Sequence, residues 1–91
     1  MQAIEKMADF LRTLGNPTRL MIVKELTVGH KCVGEVESSL KISQANASQH
    51  LHILKSNDIV DCIRQGTTRC YFLKNPELIR NLLKLIEQKI P

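Results

Sequence analysis

A run of uncharged polar residues between positions 44 and 50 is the part of this sequence that most clearly indicates chemistry. Ala47, Leu51 and Leu54 recur there at helical spacing, which predicts an amphipathic helix with the polar residues on its other face. Exposed helix faces usually carry Glu and Lys, but this one has no charge before Lys55. Amides and hydroxyls donate and accept hydrogen bonds, and such groups read base edges in the DNA major groove. The candidate base-reading residues are Gln44, Asn46, Ser48 and Gln49.

Two neighbouring side chains have alternative interpretations. Ala45 either contacts a thymine methyl group or simply favours helix formation. His50 precedes the apolar Leu51, so we expect it to contact a DNA phosphate or pack at the flank of the helix. His52 lies about 200° around the helix from His50, so the two cannot bind one metal ion. An ordinary polar helix face is the alternative interpretation of the whole group.

Five helices are expected, and one of them carries this polar face. Asn-Pro pairs at residues 16–17 and 75–76 start two of them, because Asn caps a helix and Pro suits its first position. Ser43 is the expected cap of the polar helix, and Gly15 and Gly29 end the first two helices. The predicted helices span residues 2–14, 17–28, 33–40, 44–57 and 76–89.

The third and fourth helices are joined by only a few residues, which is typical of a helix-turn-helix. The β-rich segments 59–65 and 69–73 flank Gly66-Thr67-Thr68 and predict a hairpin. A two-residue turn at Gly66-Thr67 places Gln65 opposite Thr68 and Ile63 opposite Cys70. We therefore predict one domain over residues 1–91, mainly α with a small β-hairpin wing, in a winged helix-turn-helix arrangement.

Polar and basic residues surround the tip of the predicted wing. Cations and hydroxyls there suit backbone phosphates or the minor groove, although an exposed turn also carries them for solubility. Arg19, near the start of the second helix, either contacts phosphate or forms a structural ion pair. The candidate wing residues are Arg64, Thr67, Thr68 and Arg69.

The first and last helices carry more apolar surface than so short a chain is expected to cover alone. We predict that these helices pair with a second copy in a two-fold homodimer. The alternative is that both stripes face one intramolecular core. The apolar positions are Ile4, Met7, Ala8, Leu11 and Leu14 on the first helix, and Leu78, Leu82, Leu85 and Ile86 on the last, with Ile79, Leu83 and Ile90 beside them.

Composition narrows the class of protein. The formal charge of +4 and the pI near 9.2 permit nucleic-acid binding without requiring it. No apolar run is long enough to span a bilayer, the N-terminus lacks signal-peptide features, and three scattered cysteines suit a reducing cytoplasm. The sequence shows no nucleophile–base pair, paired carboxylates or phosphate-binding glycine loop, so we do not expect an enzyme.

Four segments in order resemble the ArsR/SmtB family of bacterial repressors over nearly the whole chain. They are LGNPTRL at residues 14–20, CVGEV at 32–36, SQANASQHL at 43–51, and the wing residues Gly66 and Tyr71. The resemblance implies a homodimer that binds a palindromic operator in double-stranded DNA, blocks transcription and is released by an effector. The rival hypothesis is a winged-helix protein-interaction module that does not bind DNA.

The cysteines bear on the effector. Cys32 lies at the start of the third helix, where the helix dipole lowers a thiol pKa, so we name it as a possible thiol sensor. Metal-sensing relatives carry Cys-Val-Cys here, but Gly34 replaces the second cysteine, and the last helix lacks histidine. We therefore expect no metal site and no cofactor, and we favour thiol chemistry over metal sensing. Cys62 and Cys70 are interpreted as small apolar fillers on opposite faces of the wing. The alternative is a redox switch, which requires Cys32 to meet another cysteine within the fold or across the dimer.

Overall fold

The computed structural model describes all 91 residues, and its helices follow the predicted order. The elements are α1 (Gln2–Leu14), α2 (Pro17–Leu26), β1 (Lys31–Cys32), α3 (Val33–Leu40), α4 (Gln44–Ser56), β2 (Val60–Gln65), β3 (Thr68–Leu73) and α5 (Pro76–Lys89). The predicted caps are confirmed, since Asn16 Oδ1 accepts from the Arg19 backbone N–H at 3.1 Å and Asn75 Oδ1 accepts from Leu78 at 3.2 Å. None of the helices is both long and apolar enough to cross a membrane.

Helix α2 ends earlier than predicted, at Leu26 instead of Val28. The backbone N–H groups of residues 27–29 bond to carbonyls three residues back, so the chain tightens into a turn. The Thr27 hydroxyl also donates to the Lys24 carbonyl at 2.6 Å. Gly29 then adopts a φ of 147°, which lets the chain leave the turn.

The wing is a three-stranded antiparallel sheet of order β1-β3-β2, not the two-stranded hairpin that we predicted. Strand β1 pairs Lys31 with Tyr71 and Cys32 with Cys70. The β2–β3 register is confirmed, with Ile63 opposite Cys70. In the turn, Gly66 has a φ of 64°, which suits a two-residue hairpin turn with glycine at its first central position. A two-residue strand has no periodicity, so the sequence pattern could not reveal β1.

The core lies between helices α2, α3 and α4 and one face of the sheet. The apolar face of α4 is buried as predicted, and Ala47, Leu51 and Leu54 are fully enclosed. The other fully enclosed side chains are Ile22, Val23, Val36, Val60, Cys70 and Ile79. Because α4 is held by its apolar face, its polar face is directed away from the core.

Helix α5 is attached to α2 by polar contacts as well as by the buried Ile79. The Arg80 guanidinium donates to the Thr27 carbonyl from Nε at 3.1 Å and from Nη2 at 2.8 Å. Lys24 Nζ lies 3.1 Å from the Glu87 carboxylate, which adds an ion pair between the same helices. These contacts fix the direction of α5 relative to the helix-turn-helix.

The outward sides of α1 and α5 remain apolar and exposed. We call this surface the terminal-helix face, and Met7, Phe10, Leu11 and Leu78 line a shallow groove where the two helices adjoin. Leu14 is buried, but the other large apolar residues of the predicted α1 stripe are exposed, so most of this stripe does not face the intramolecular core. The terminal-helix face consists of Ile4, Met7 and Leu11 on α1, and Leu78, Leu85 and Ile86 on α5.

Candidate nucleic-acid interface

The predicted base-reading residues lie together on the exposed face of α4. Ser43 starts the helix, and its Oγ accepts from the Asn46 backbone N–H at 3.1 Å. Within the polar run, only the side chain of His50 forms a hydrogen bond inside the chain, so the amides and hydroxyl of the other polar residues are available to a ligand. The exposed residues of this face are Gln44, Ala45, Asn46, Ser48 and Gln49.

His50 is half-buried at the flank of α4, where Arg19 holds it. Arg19 Nη1 lies 3.3 Å from His50 Nδ1, and Arg19 Nε donates to the Thr13 carbonyl at 2.6 Å. Because guanidinium can only donate, Nδ1 must accept, which leaves the imidazole proton on Nε2. Arg19 therefore links α1, α2 and α4 as a structural residue, though through a histidine and a carbonyl and not through an ion pair. The Nε2–H of His50 remains a donor.

The wing tip presents two arginines with no acidic partner. Arg64 and Arg69 are directly opposite each other on β2 and β3, and both are exposed. The ion pairs of the chain all involve other residues. Like charges facing each other destabilise a sheet, so an anion between them would relieve a repulsion. Thr67 is exposed and Thr68 half-buried beside them. This arrangement favours phosphate contact over a purely solubilising role.

Tyr71 lies on the core face of the same sheet, next to the wing arginines. Burial raises the pKa of its phenol, and nearby Cys62 raises it further, while Arg69 acts in the opposite direction. The phenol therefore stays neutral at physiological pH. It supports the wing from inside without adding a charge to the exposed surface.

We expect Arg64→Ala combined with Arg69→Ala to weaken binding to all DNA sequences alike. Each arginine that neutralises a phosphate contributes about one unit to the slope of log affinity against log salt. The double variant should therefore lower that slope by about two in a fluorescence-anisotropy salt titration. A matched control, Arg12→Ala with Lys84→Ala, removes the same charge from α1 and α5 and should change the slope much less. An unchanged slope in the wing variant would exclude the wing from phosphate contact.

The structure corrects the interpretation of one cysteine. Cys70 is 0% exposed, and it forms a disulfide with Cys32, the residue opposite it on β1. Its interpretation as a simple apolar filler was therefore wrong. Cys62 is a free thiol that packs against the core, which agrees with its predicted role as a filler.

Sequence reasoning missed the contacts that join distant segments of this site. The Cys32–Cys70 pair depends on β1, and neither the Arg19–His50 contact nor the Arg80–Thr27 contact leaves a local pattern. No three His, Cys, Asp or Glu side chains lie close enough together to hold a metal ion. The candidate interface thus consists of the uncharged polar face of α4 and the two arginines of the wing.

Comparisons with known proteins agree with this geometry. A sequence model described as bacterial regulatory protein, arsR family, matches residues 16–61. An uncharacterised HTH-type transcriptional regulator of Methanocaldococcus jannaschii is 36% identical over 89 residues, covering 97% of this chain and 99% of the relative. A biofilm growth-associated repressor of Agrobacterium fabrum is 37% identical over 75 residues, which are 82% of this chain but only 64% of that protein.

A solved structure has the same fold. It is the solution NMR structure of a homodimeric winged helix-turn-helix DNA-binding domain from Mycobacterium bovis, a possible ArsR-family transcriptional regulator. Its TM-score is 0.87 with 24% sequence identity, and the match covers 97% of this chain and 83% of that one. The winged helix-turn-helix prediction is confirmed.

Proposed function

Because this chain belongs to the arsR family of bacterial regulatory proteins, we propose that it represses transcription as a homodimer bound to a palindromic operator. The family consists of transcriptional regulators and not of enzymes. We propose that residues 1–91 act as one DNA-binding unit. Its α4 face reads bases in the major groove, and its wing contacts phosphates. The operator-reading residues are Gln44, Ala45, Asn46, Ser48, Gln49 and His50, with Arg64, Thr67, Thr68 and Arg69 on the wing.

The single observation that supports this proposal best is the exposed, uncharged polar face of α4. Its amides and hydroxyls have no partners inside the chain, whereas the apolar face of the same helix is fully buried. A protein-interaction module would more commonly present aromatic and other apolar side chains at the centre of its contact face. Paired amide contacts to adenine are worth about 1–3 kcal/mol each in base discrimination, so a few of them suffice for operator choice.

The terminal-helix face supports the homodimer. It combines exposed leucine, isoleucine and methionine side chains from both ends of the chain on one surface. The relative from Mycobacterium bovis with the same fold is homodimeric. Two-fold pairing through this face would place two α4 helices at successive major grooves, roughly 34–36 Å apart. We also propose that an effector releases the operator, and that it acts through the cysteines and not through a bound metal ion.

The test is a titration of labelled duplexes with the wild-type protein and Gln49→Ala. We expect wild type to bind the region upstream of its own gene at least about 10³-fold more tightly than random duplex. Gln49→Ala should lose about five- to 100-fold of that preference and keep its salt slope, because an amide that reads a base displaces no counterion. His52→Ala, on the same helix, is the control. Equal losses on both duplexes would argue against base reading, and no preference in wild type would favour the protein-interaction alternative.

A further inference from the structure

The Cys32–Cys70 disulfide joins the two parts of the proposed DNA surface. Cys32 directly precedes α3, the first helix of the helix-turn-helix, and Cys70 lies in the middle of the wing strand β3. The bond spans a sequence separation of 38 residues, so α3, α4, β2 and the wing turn all lie inside one covalent loop. Without it, β1 is joined to β3 by a pairing of only two residues.

We propose that this disulfide is a modification site for small thiols, and that its reduction weakens operator binding. This inference rests on the proposed function and names the chemistry of its effector. The reductant is a low-molecular-weight thiol, two molecules of which together supply the two electrons that the disulfide accepts.

Accessibility determines where the thiol attacks. The Cys32 side chain is half-buried, whereas Cys70 is 0% exposed and cannot be approached from solvent. A small thiolate therefore attacks Cys32 Sγ, forming a mixed disulfide there and releasing Cys70 as a thiolate. Cys70 then takes up a proton. A second thiolate attacks the sulfur of the bound small thiol, releasing the small-molecule disulfide, and Cys32 is protonated in its turn. The sum is one protein disulfide and two thiols giving two protein thiols and one small disulfide.

Gln65 is placed to receive the released thiol. Its Oε1 lies 3.4 Å from Cys70 Sγ, on the face of the sheet that also holds Cys32. Once Cys70 is protonated, its S–H can donate to this amide oxygen. Gln65 adjoins the wing turn, so reduction replaces the covalent bond between β1 and β3 by a weak hydrogen bond between β3 and β2.

The effect on DNA follows from the loss of a fixed geometry. The disulfide holds the wing arginines in one position relative to the α4 face, so both contact DNA without first being ordered. After reduction, the short β1 pairing and the buried side chains Tyr71 and Leu73 still hold the sheet, but no covalent bond joins β1 to β3. We expect operator affinity to fall about three- to tenfold, since ordering the wing must then come from binding energy. Reduction acts as the releasing signal.

The experiment compares the full chain with and without reduced glutathione. Alkylation and mass spectrometry should find one reactive thiol, Cys62, before treatment and three after it. Thermal denaturation should shift down by roughly 10 °C or more on reduction. Cys62→Ser is the matched control and should show the same shift and the same loss of operator affinity. Cys32→Ser and Cys70→Ala should match reduced wild type whether or not glutathione is present.

Two outcomes separate this inference from the function on which it rests. Three reactive thiols after equilibration with oxidised glutathione, or equal operator affinity of the two redox forms, would overturn the modification site and leave the repressor proposal intact. Failure of both forms to prefer the upstream DNA would overturn the repressor proposal and, with it, the redox control of binding. The alkylation and thermal measurements do not depend on DNA.

Discussion

Leu85→Glu is expected to convert the dimer to a monomer and to lower operator affinity at least about 100-fold. Leu85 is 61% exposed in the single chain and is the most exposed of the α5 residues in the terminal-helix face. A glutamate there would place two desolvated carboxylates at the two-fold interface. Each protomer would then bind its half-site alone, and the gain in affinity from joining two protomers, typically 10²–10⁴-fold, would be lost. Light scattering and anisotropy titration measure the two effects.

The control for this variant is Val28→Glu. Val28 is also an exposed apolar residue, at 80% exposure, but it follows α2 and lies outside the terminal-helix face. It introduces the same charge, so it reproduces any electrostatic penalty on DNA binding without touching the interface. Leu11→Glu, at 58% exposure on α1, should behave like Leu85→Glu. A dimer that persists in both terminal-helix variants would place the interface elsewhere.

Leu51→Ala is expected to destabilise the protein by about 2–5 kcal/mol, the usual cost of opening a leucine-sized cavity in a core. Leu51 is 0% exposed and lies on α4 between Ala47 and Leu54, so its side chain holds the base-reading helix in place. Total stability of small proteins is about 5–15 kcal/mol, so a large part of it would be lost. Urea denaturation at one fixed protein concentration measures the change, because a dimer's stability depends on concentration.

His52→Ala is the matched control on the same helix. Its side chain is exposed and lies outside the core cluster, so we expect a change within about 0.5 kcal/mol. A Leu51→Ala protein as stable as this control would mean that α4 is held by contacts other than its apolar face. That result would contradict the fold described above.

The elements that could be predicted from sequence are those with local signals. Asn-Pro pairs and Ser43 mark helix starts, and the alternating segments around Gly66 predicted both strands and their register. The α4 face could also be located, because a helix with one enclosed apolar face must present its other residues to solvent. Whether those residues contact DNA remains a proposal.

The contacts that were not predicted join segments far apart in the chain. Cys32 meets Cys70 at a separation of 38 residues, Arg19 meets His50 at 31, and Arg80 meets the Thr27 carbonyl at 53. No periodicity or capping rule connects such positions, because only the folded backbone brings them together. The odd number of cysteines on a reducing-compartment sequence pointed away from a disulfide, and strand β1 was too short to reverse that expectation.

The contacts that Arg80 and Glu87 make between α5 and α2 limit the spacing of operator half-sites that the dimer can bind. In the proposed dimer, α5 sets the distance between protomers, and its contacts with α2 transmit that distance to the two α4 helices. The separation of the two reading helices would then be nearly constant. Only operators whose two half-sites lie on the same face of the duplex would bind such a dimer. Inserting half a helical turn between the half-sites would move one of them to the opposite face of the DNA.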